Sequence, residues 1–189
     1  MGEEGTIKIA MLGDSEVGKT SLMVKYVEGK FNEDYIMTLG IAFMEKKINL
    51  RGHEITFSIG DLGGQREYLT MLPNVLDGAH IVLLFFDLTR SVSLNNVKYW
   101  YKNTRQYNPT ASIILVGTKY DLFVDLDEAE RNKIVETALK FANLMKSACV
   151  FCSALLGINV DTIFKISLSK AYGLKLNIQQ AETGAVVVF

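Results

Sequence analysis

Gly13-Asp14-Ser15-Glu16-Val17-Gly18-Lys19-Thr20 fits the pattern G-x-x-x-x-G-K-(S/T), whose residue types suit the holding of a chain of phosphates. The glycines let the backbone curl until its amide N–H groups point inward. A helix starting at the end of the loop adds positive potential, and Lys19 supplies a cation for the outer phosphate oxygens. Thr20 offers Mg²⁺ a hydroxyl oxygen, and Ser21 follows it into the helix. Further on, Asp61-Leu62-Gly63-Gly64-Gln65 places a carboxylate able to hold Mg²⁺ through a water, a Gly64 amide able to bond a γ-phosphate oxygen, and in Gln65 a side chain able to orient an attacking water. Thr118-Lys119-Tyr120-Asp121 completes the set. A carboxylate at Asp121 can accept from both N1–H and the exocyclic amine of guanine, a donor pair that adenine lacks. Such a site can reject the wrong base by roughly 10⁴ to 10⁵.

These motifs need strands and loops in a fixed order. A strand over residues 6 to 12 (TIKIAML) leads into the glycine loop, and a helix runs from about Thr20 to Glu28. Residues 41 to 50 and 54 to 61 read as hairpin arms turning at Gly52. AHIVLLFFDL and SIILVGTK are continuous apolar runs, as parallel strands covered on both faces are. Between them Leu94, Val97 and Tyr101 recur at helical spacing, with Ser91 as N-cap and an end before Asn108-Pro109. Val160, Ile163, Phe164, Ser167, Leu168 and Ala171 make one face of a last helix closed by Gly173. The alternation predicts an α/β fold: a mainly parallel six-stranded sheet with one antiparallel strand and helices on both faces, binding its ligand at the carboxyl ends of the strands. One domain is expected over residues 6–173, with tails at 1–5 and 174–189.

Composition narrows the function classes. With 189 residues, 49% hydrophobic and 22% charged, the chain is long enough for one real core. A formal charge of −1 gives no general reason to expect nucleic acid or an anionic membrane as partner. No apolar run approaches the ~20 residues needed to span a bilayer, and the acidic start MGEEGT does not read as a secretory signal, so a cytoplasmic location is expected. MGEEGT does match M-G-x-x-x-(S/T), but two glutamates beside Gly2 suit myristoylation poorly. AETGAVVVF carries no cysteine for prenylation, so membrane contact is expected to be peripheral at most. Cys149 and Cys152 lie three apart in a strand-like run, which points them to opposite faces and predicts two buried thiols instead of a disulfide or metal pair. His53 and His80 read as turn and strand-end residues, and Trp100 as helix packing. Asp125, Asp127, Glu128 and Glu130 read as helix N-terminal charge. The apolar end Val186-Val187-Val188-Phe189 reads as a disordered or crystal-ordered tail, with addition to a partner's sheet edge as the alternative.

With these motifs in this order, the chain resembles the Ras superfamily of small GTPases from about residue 6 to 173, a P-loop NTPase G domain. The resemblance implies that GTP or GDP and Mg²⁺ are bound. It implies that Thr38, in DYIMTLGIAF, ligates Mg²⁺ and senses the γ-phosphate, that Phe31 packs on the guanine, and that Ser153 and Ala154 line the base with the alanine amide facing the guanine oxygen. Two positions depart from the common pattern: Thr118 stands where many members have Asn, and Leu155 replaces the usual Lys after Ser-Ala. The strings VGKTSLMVKYVEGKF, FSIGDLGGQREYLTMLP and LVGTKYDLFVDLD look most like the septum-promoting and mitotic-exit branch, where Rab and Ras members usually read D-T-A-G-Q-E. That branch implies action at the spindle pole or centrosome through a protein kinase cascade, with an exchange factor and a GTPase-activating complex as partners.

The segment from Tyr26 to Met44 holds no arginine, so slow intrinsic hydrolysis and acceleration by an activating protein are expected. Ile36 and Met37 are expected to be exposed as part of an effector patch. Three rival readings remain: a nucleotide-binding scaffold with little hydrolysis, a Rab-like vesicle-traffic GTPase, and a P-loop kinase or ATPase, against which Asp121 counts.

Overall fold

The computed structural model describes residues 5–32, 37–176 and 185–188. The first apolar run forms β1 (Gly5–Gly13), followed by α1 (Lys19–Glu28). The hairpin arms are β2 (Ile41–Leu50) and β3 (His53–Leu62), antiparallel from the Ile41–Leu62 pair to the Leu50–His53 pair. A 3₁₀ helix at Arg66–Met71 leads into the short α2 (Leu72–Leu76), with Pro73 in its first turn, where a missing N–H costs no helical bond. Then come β4 (Ile81–Asp87), α3 (Ser91–Tyr107), β5 (Ser112–Thr118), α4 (Tyr120–Phe123), α5 (Glu128–Met145), β6 (Ala148–Phe151) and α6 (Val160–Tyr172).

The sheet order is β2-β3-β1-β4-β5-β6-β7, with β7 at Val187–Val188. Strands β3, β1, β4, β5 and β6 run parallel. Successive side chains of a strand face opposite ways, and the core divides accordingly. Ala10, Leu12, Val82, Leu84 and Phe86 pack with Leu94, Val97, Ile134, Ala138 and Phe141 of α3 and α5 on one face. Ile7, Ile9, Met11, Leu83 and Phe85 pack with Leu22, Met23, Ile163 and Phe164 of α1 and α6 on the other. Strand β1 lies between β3 and β4, so the chain leaves it at the point where the sheet order reverses, where ligands of such sheets bind.

Cys149 and Cys152 fall on opposite faces, both free and buried, as their spacing requires. Burial pushes the Cys149 thiol up to about 12, which leaves it inert as a nucleophile. The acidic run after α4 caps a helix: Asp127 accepts the Glu130 backbone N–H at 3.0 Å. No helix among the described residues is long and apolar enough to cross a membrane. Gly2 lies outside the described residues.

Two expectations are corrected. Among the described residues the sheet has seven strands, because β7 pairs antiparallel with β6, Val150 opposite Val187 and Cys149 opposite Val188. The apolar end therefore covers an edge of its own sheet. Nothing local in a two-residue strand says which edge it will meet, and the exposed N–H and C=O groups of β6 decide it. Ser91 is the first helical residue of α3 and not its cap, since Arg90 holds that position. The turn is tied by Ser93 instead, whose hydroxyl accepts the Asp87 N–H at 2.9 Å and donates to the Arg90 carbonyl at 2.7 Å.

Candidate functional site

The loop between β1 and α1 bends back through Glu16 and Gly18, both at positive φ (64° and 88°). Glycine takes such a value freely, whereas Glu16 does so at a cost that functional loops commonly carry. The bend brings Lys19 home: its Nζ donates to the carbonyls of Gly13 at 3.0 Å and Asp14 at 2.8 Å. Lys19 is buried, and burial lowers its pKa, against the pull of Asp61 and Asp14.

Beside it three oxygen-bearing side chains from three segments converge. The Thr20 hydroxyl donates to Asp61 Oδ2 and lies 2.7 Å from the Thr38 hydroxyl, which is itself 3.4 Å from Asp61 Oδ2. Asp61 is fully buried, its Oδ1 has no hydrogen-bond partner, and burial raises its pKa despite Lys19, Thr20 and Thr38. An orphaned carboxylate oxygen costs free energy unless something else binds it. One carboxylate and two hydroxyls form a hard-oxygen set suited to Mg²⁺, which takes few protein ligands and completes its shell with phosphates and water. The residues therefore fit the ion. Among the described residues no group of three or more His, Cys, Asp or Glu gathers to hold a metal.

The strand after Thr38 and the loop after Asp61 are clasped. Gly63 N–H donates to the Gly40 carbonyl at 2.8 Å, and the Gln65 side-chain amide lies on the Met37 sulfur. Met37 is exposed, as expected; Ile36 lies outside the described residues.

A cavity of about 850 Å³ opens here, lined by Ser15, Glu16, Gly18, Lys19, Thr20, Ser21, Phe31, Thr38, Gly64, Gln65 and Lys119 among others. Gly13, Asp14, Val17 and Thr118 do not line it. Thr118 is buried, and its hydroxyl donates to the Val17 carbonyl at 2.6 Å and lies 3.1 Å from that of Phe86, tying β5 to the loop. Asp121, Ser153, Ala154 and Leu155 also stand outside the enclosed part. There the Ser153 hydroxyl donates to Asp121 Oδ1 at 2.5 Å and accepts the Leu156 N–H at 3.1 Å. Lys119, at φ 60°, joins the two regions, and its ammonium meets Asp87 Oδ2 at 2.7 Å. Burial alone would raise the Asp87 carboxyl, but Lys119 and Thr89 hold it below the usual carboxylate range.

Sequence reasoning missed Asp87, Arg90, Asn96 and Trp100. Arg90 bonds both Asp87 Oδ2 and the Ser15 carbonyl. Asn96 and Trp100 bond the Asp14 carboxylate. Their spacing of four marks one helix face, but nothing local says that this face meets the loop.

A mainly parallel α/β sheet with a lysine-bearing glycine loop after its first strand, and an Asp-x-x-Gly turn after its third, defines a G domain. A sequence model of the Ras family matches residues 8–172, so the chain belongs to the Ras family, whose small GTPases are GTP hydrolases. It is 51% identical over 175 residues to septum-promoting GTP-binding protein 1 of Schizosaccharomyces pombe, covering 93% of this chain and 88% of that one. It is 35% identical over 159 residues to Ras-related protein SEC4 of Candida albicans, covering 84% and 73%. With Ras-related protein Rab-13 of Canis lupus familiaris it shares 33% over 170 residues, 89% and 80% of the two chains.

Proposed function

We propose that this chain is a GTP/GDP switch that binds its nucleotide with Mg²⁺ and acts in septation or mitotic exit. The observation that carries the switch reading is the meeting of Thr20, Thr38 and Asp61 around the orphaned Asp61 Oδ1, at the mouth of the loop that holds Lys19. On this reading Lys19 and the loop amides of residues 13–20 hold the β- and γ-phosphates. Thr20, Thr38 and Asp61 hold the ion, which supplies charge neutralisation to the transferring phosphoryl group. Asp121 selects guanine, with Ser153 orienting its carboxylate, while Phe31, Lys119, Ala154 and Leu155 flank the base.

Gln65 orients the attacking water, and the Gly64 amide senses the γ-phosphate. Loss of that phosphate removes what Thr38 and Gly64 grip, so both loops relax and the GTP-dependent surface is lost. Met37, Leu39 and Phe43 stand exposed on that surface, Leu39 by 70% and Phe43 by 63%. Apolar side chains so placed suit an effector, here the head of a protein kinase cascade at the spindle pole. The septation assignment rests on the 51% identity to a protein named as septum-promoting.

Single-turnover release of γ-phosphate from the GTP-loaded chain, with Gln65→Leu as control, tests the chemistry. Slow release, abolished in the variant and accelerated ~10³ to 10⁵-fold by an activating protein, is expected. Tighter competition by ADP than by GDP would overturn the guanine reading. Capture of a kinase by the GTP-loaded and not the GDP-loaded chain supports the septation role, whereas capture of vesicle-tethering factors would replace it.

A further inference from the structure

The Asp14 carboxylate takes no part in the phosphate cradle. It turns outward to α3, where Trp100 Nε1 donates to Oδ1 at 2.8 Å and Asn96 Nδ2 to Oδ2 at 2.7 Å. The two donors lie one helical turn apart, so a single face of α3 grips both carboxylate oxygens. The main chain of the same residue is held from the other side, since its carbonyl accepts Lys19 Nζ at 2.8 Å. The next carbonyl, of Ser15, accepts Arg90 Nη2 at 2.8 Å.

We infer that Asn96 and Trp100 are positioning residues for the nucleotide, fixing the phosphate loop through the Asp14 carboxylate. The inference rests on the guanine-nucleotide reading of the site and names a part of that site outside its lining. Hydrogen bonds to a charged group are the stronger ones, and they act here on a loop that carries a non-glycine residue at φ 64°. The held peptide is also the one that Gly64 abuts: a methyl built on Gly64 would stand 2.3 Å from the Asp14 carbonyl carbon. The face of α3 therefore sets where the loop stands relative to both the phosphates and the segment that senses them. Trp100 also packs in the core, 3% exposed, so its ring and its N–H must be separated experimentally.

Dissociation of a fluorescent GDP from the Mg²⁺-loaded chain gives that separation. Trp100→Phe keeps an aromatic ring and loses the donor, and Asn96→Asp sets a second carboxylate against Asp14 at the surface. Each is expected to speed release about tenfold or more, one lost charged hydrogen bond exceeding 1.4 kcal/mol. Asp14→Asn in the Asn96→Asp background exchanges the two groups, restoring a donor–acceptor pair while still accepting from Trp100, and is expected to return release to near the wild-type rate. Asp14→Ala should speed release, and adding Trp100→Phe to it should change nothing more.

Unchanged release in the single variants, additive effects of Asp14→Ala and Trp100→Phe, or no rescue by the exchange would overturn the inference. A wild-type chain that fails to retain GDP would instead overturn the guanine-nucleotide reading itself. Trp100 is the only tryptophan, so its emission reports the same contact: Asp14→Ala should shift it, and an unshifted spectrum counts against the bond.

Discussion

Gly64 presses on the backbone of Ser15: a methyl group at Gly64 would stand 2.2 Å from the Ser15 nitrogen, where no carbon can sit. The segment after β3 thus reaches the phosphate loop only because residue 64 has no side chain. Gly64→Ala must hold that segment away from the loop while leaving the loop itself intact. GDP affinity is expected to stay within a few-fold of wild type, GTP-dependent effector capture to be lost, and single-turnover hydrolysis to fall about a hundredfold, as for a displacement near 1 Å of a positioning group. Nucleotide binding, capture and phosphate release measured side by side check all three.

Asp61 and Lys19 are both buried, and burial pushes each toward its neutral form. Without nucleotide or ion the site is a cost to folding, so Asp61→Asn should melt higher than wild type in EDTA, by a few degrees at ~2–4 °C per kcal/mol for a chain of this size. The sign with pH follows from the raised Asp61 pKa. Its protonated form is favoured in the folded state, so folding gains most below the ordinary carboxylate value of 3.8 and loses this as pH rises through the folded value. The advantage of Asp61→Asn is therefore largest at neutral pH and shrinks on acidification. With Mg²⁺ and GDP present the order should reverse, since wild type alone keeps the carboxylate. Thermal melts at two pH values, with and without ligand, check both signs.

The order of strands, the glycine loop and the Asp-x-x-Gly turn were legible because each is a local pattern with a fixed backbone consequence. The alternation in β1 sorts Ala10 and Leu12 from Ile9 and Met11 without reference to anything distant. What stayed hidden was contact between segments far apart in the chain. Trp100 reads as core packing because its apolar ring dominates the pattern, while its N–H finds Asp14 from 86 residues away. Thr118 reads as one member of the Thr-Lys-Tyr-Asp set, and nothing local shows that its hydroxyl ties to Val17, 101 residues distant. β7 was invisible for the same reason, since two valines mark no strand until the edge they meet is known.

Thr118 carries a prediction of its own. Its hydroxyl lies against the carbonyls of Val17 and Phe86 in a buried setting, so Thr118→Ala leaves buried acceptors without their donor, at a cost of about 1–3 kcal/mol. A fall in melting temperature and faster GDP release should appear together, because Val17 belongs to the phosphate loop. Thr118→Ser keeps the hydroxyl and should recover most of the release rate. Thermal melts of the nucleotide-free variants distinguish a tie to the loop from a contact with the base, since loss of a base contact would leave Thr118→Ala as stable as wild type.

The C-terminal strand supplies the last test. Val187 is 6% exposed and packs in the α1/α6 side of the core, whereas its neighbour Val188 is 50% exposed. Val188→Asp should therefore leave the melting temperature nearly unchanged. Val187→Asp would bury a carboxylate, but a two-residue strand has the alternative of letting go of β6. Its cost is then capped at what docking of residues 185–188 contributes, which is the burial of Ala185 and Val187 and the Phe151 N–H to Val186 carbonyl bond, less the entropy of ordering the segment. Truncation before Ala185 removes the same docking free energy, so it and Val187→Asp should lower the melting temperature equally. Both should also raise concentration-dependent self-association by baring the edge of β6. A Val187→Asp chain markedly less stable than the truncated one would show that β7 cannot release, and that the strand is built into the core instead of laid along its edge.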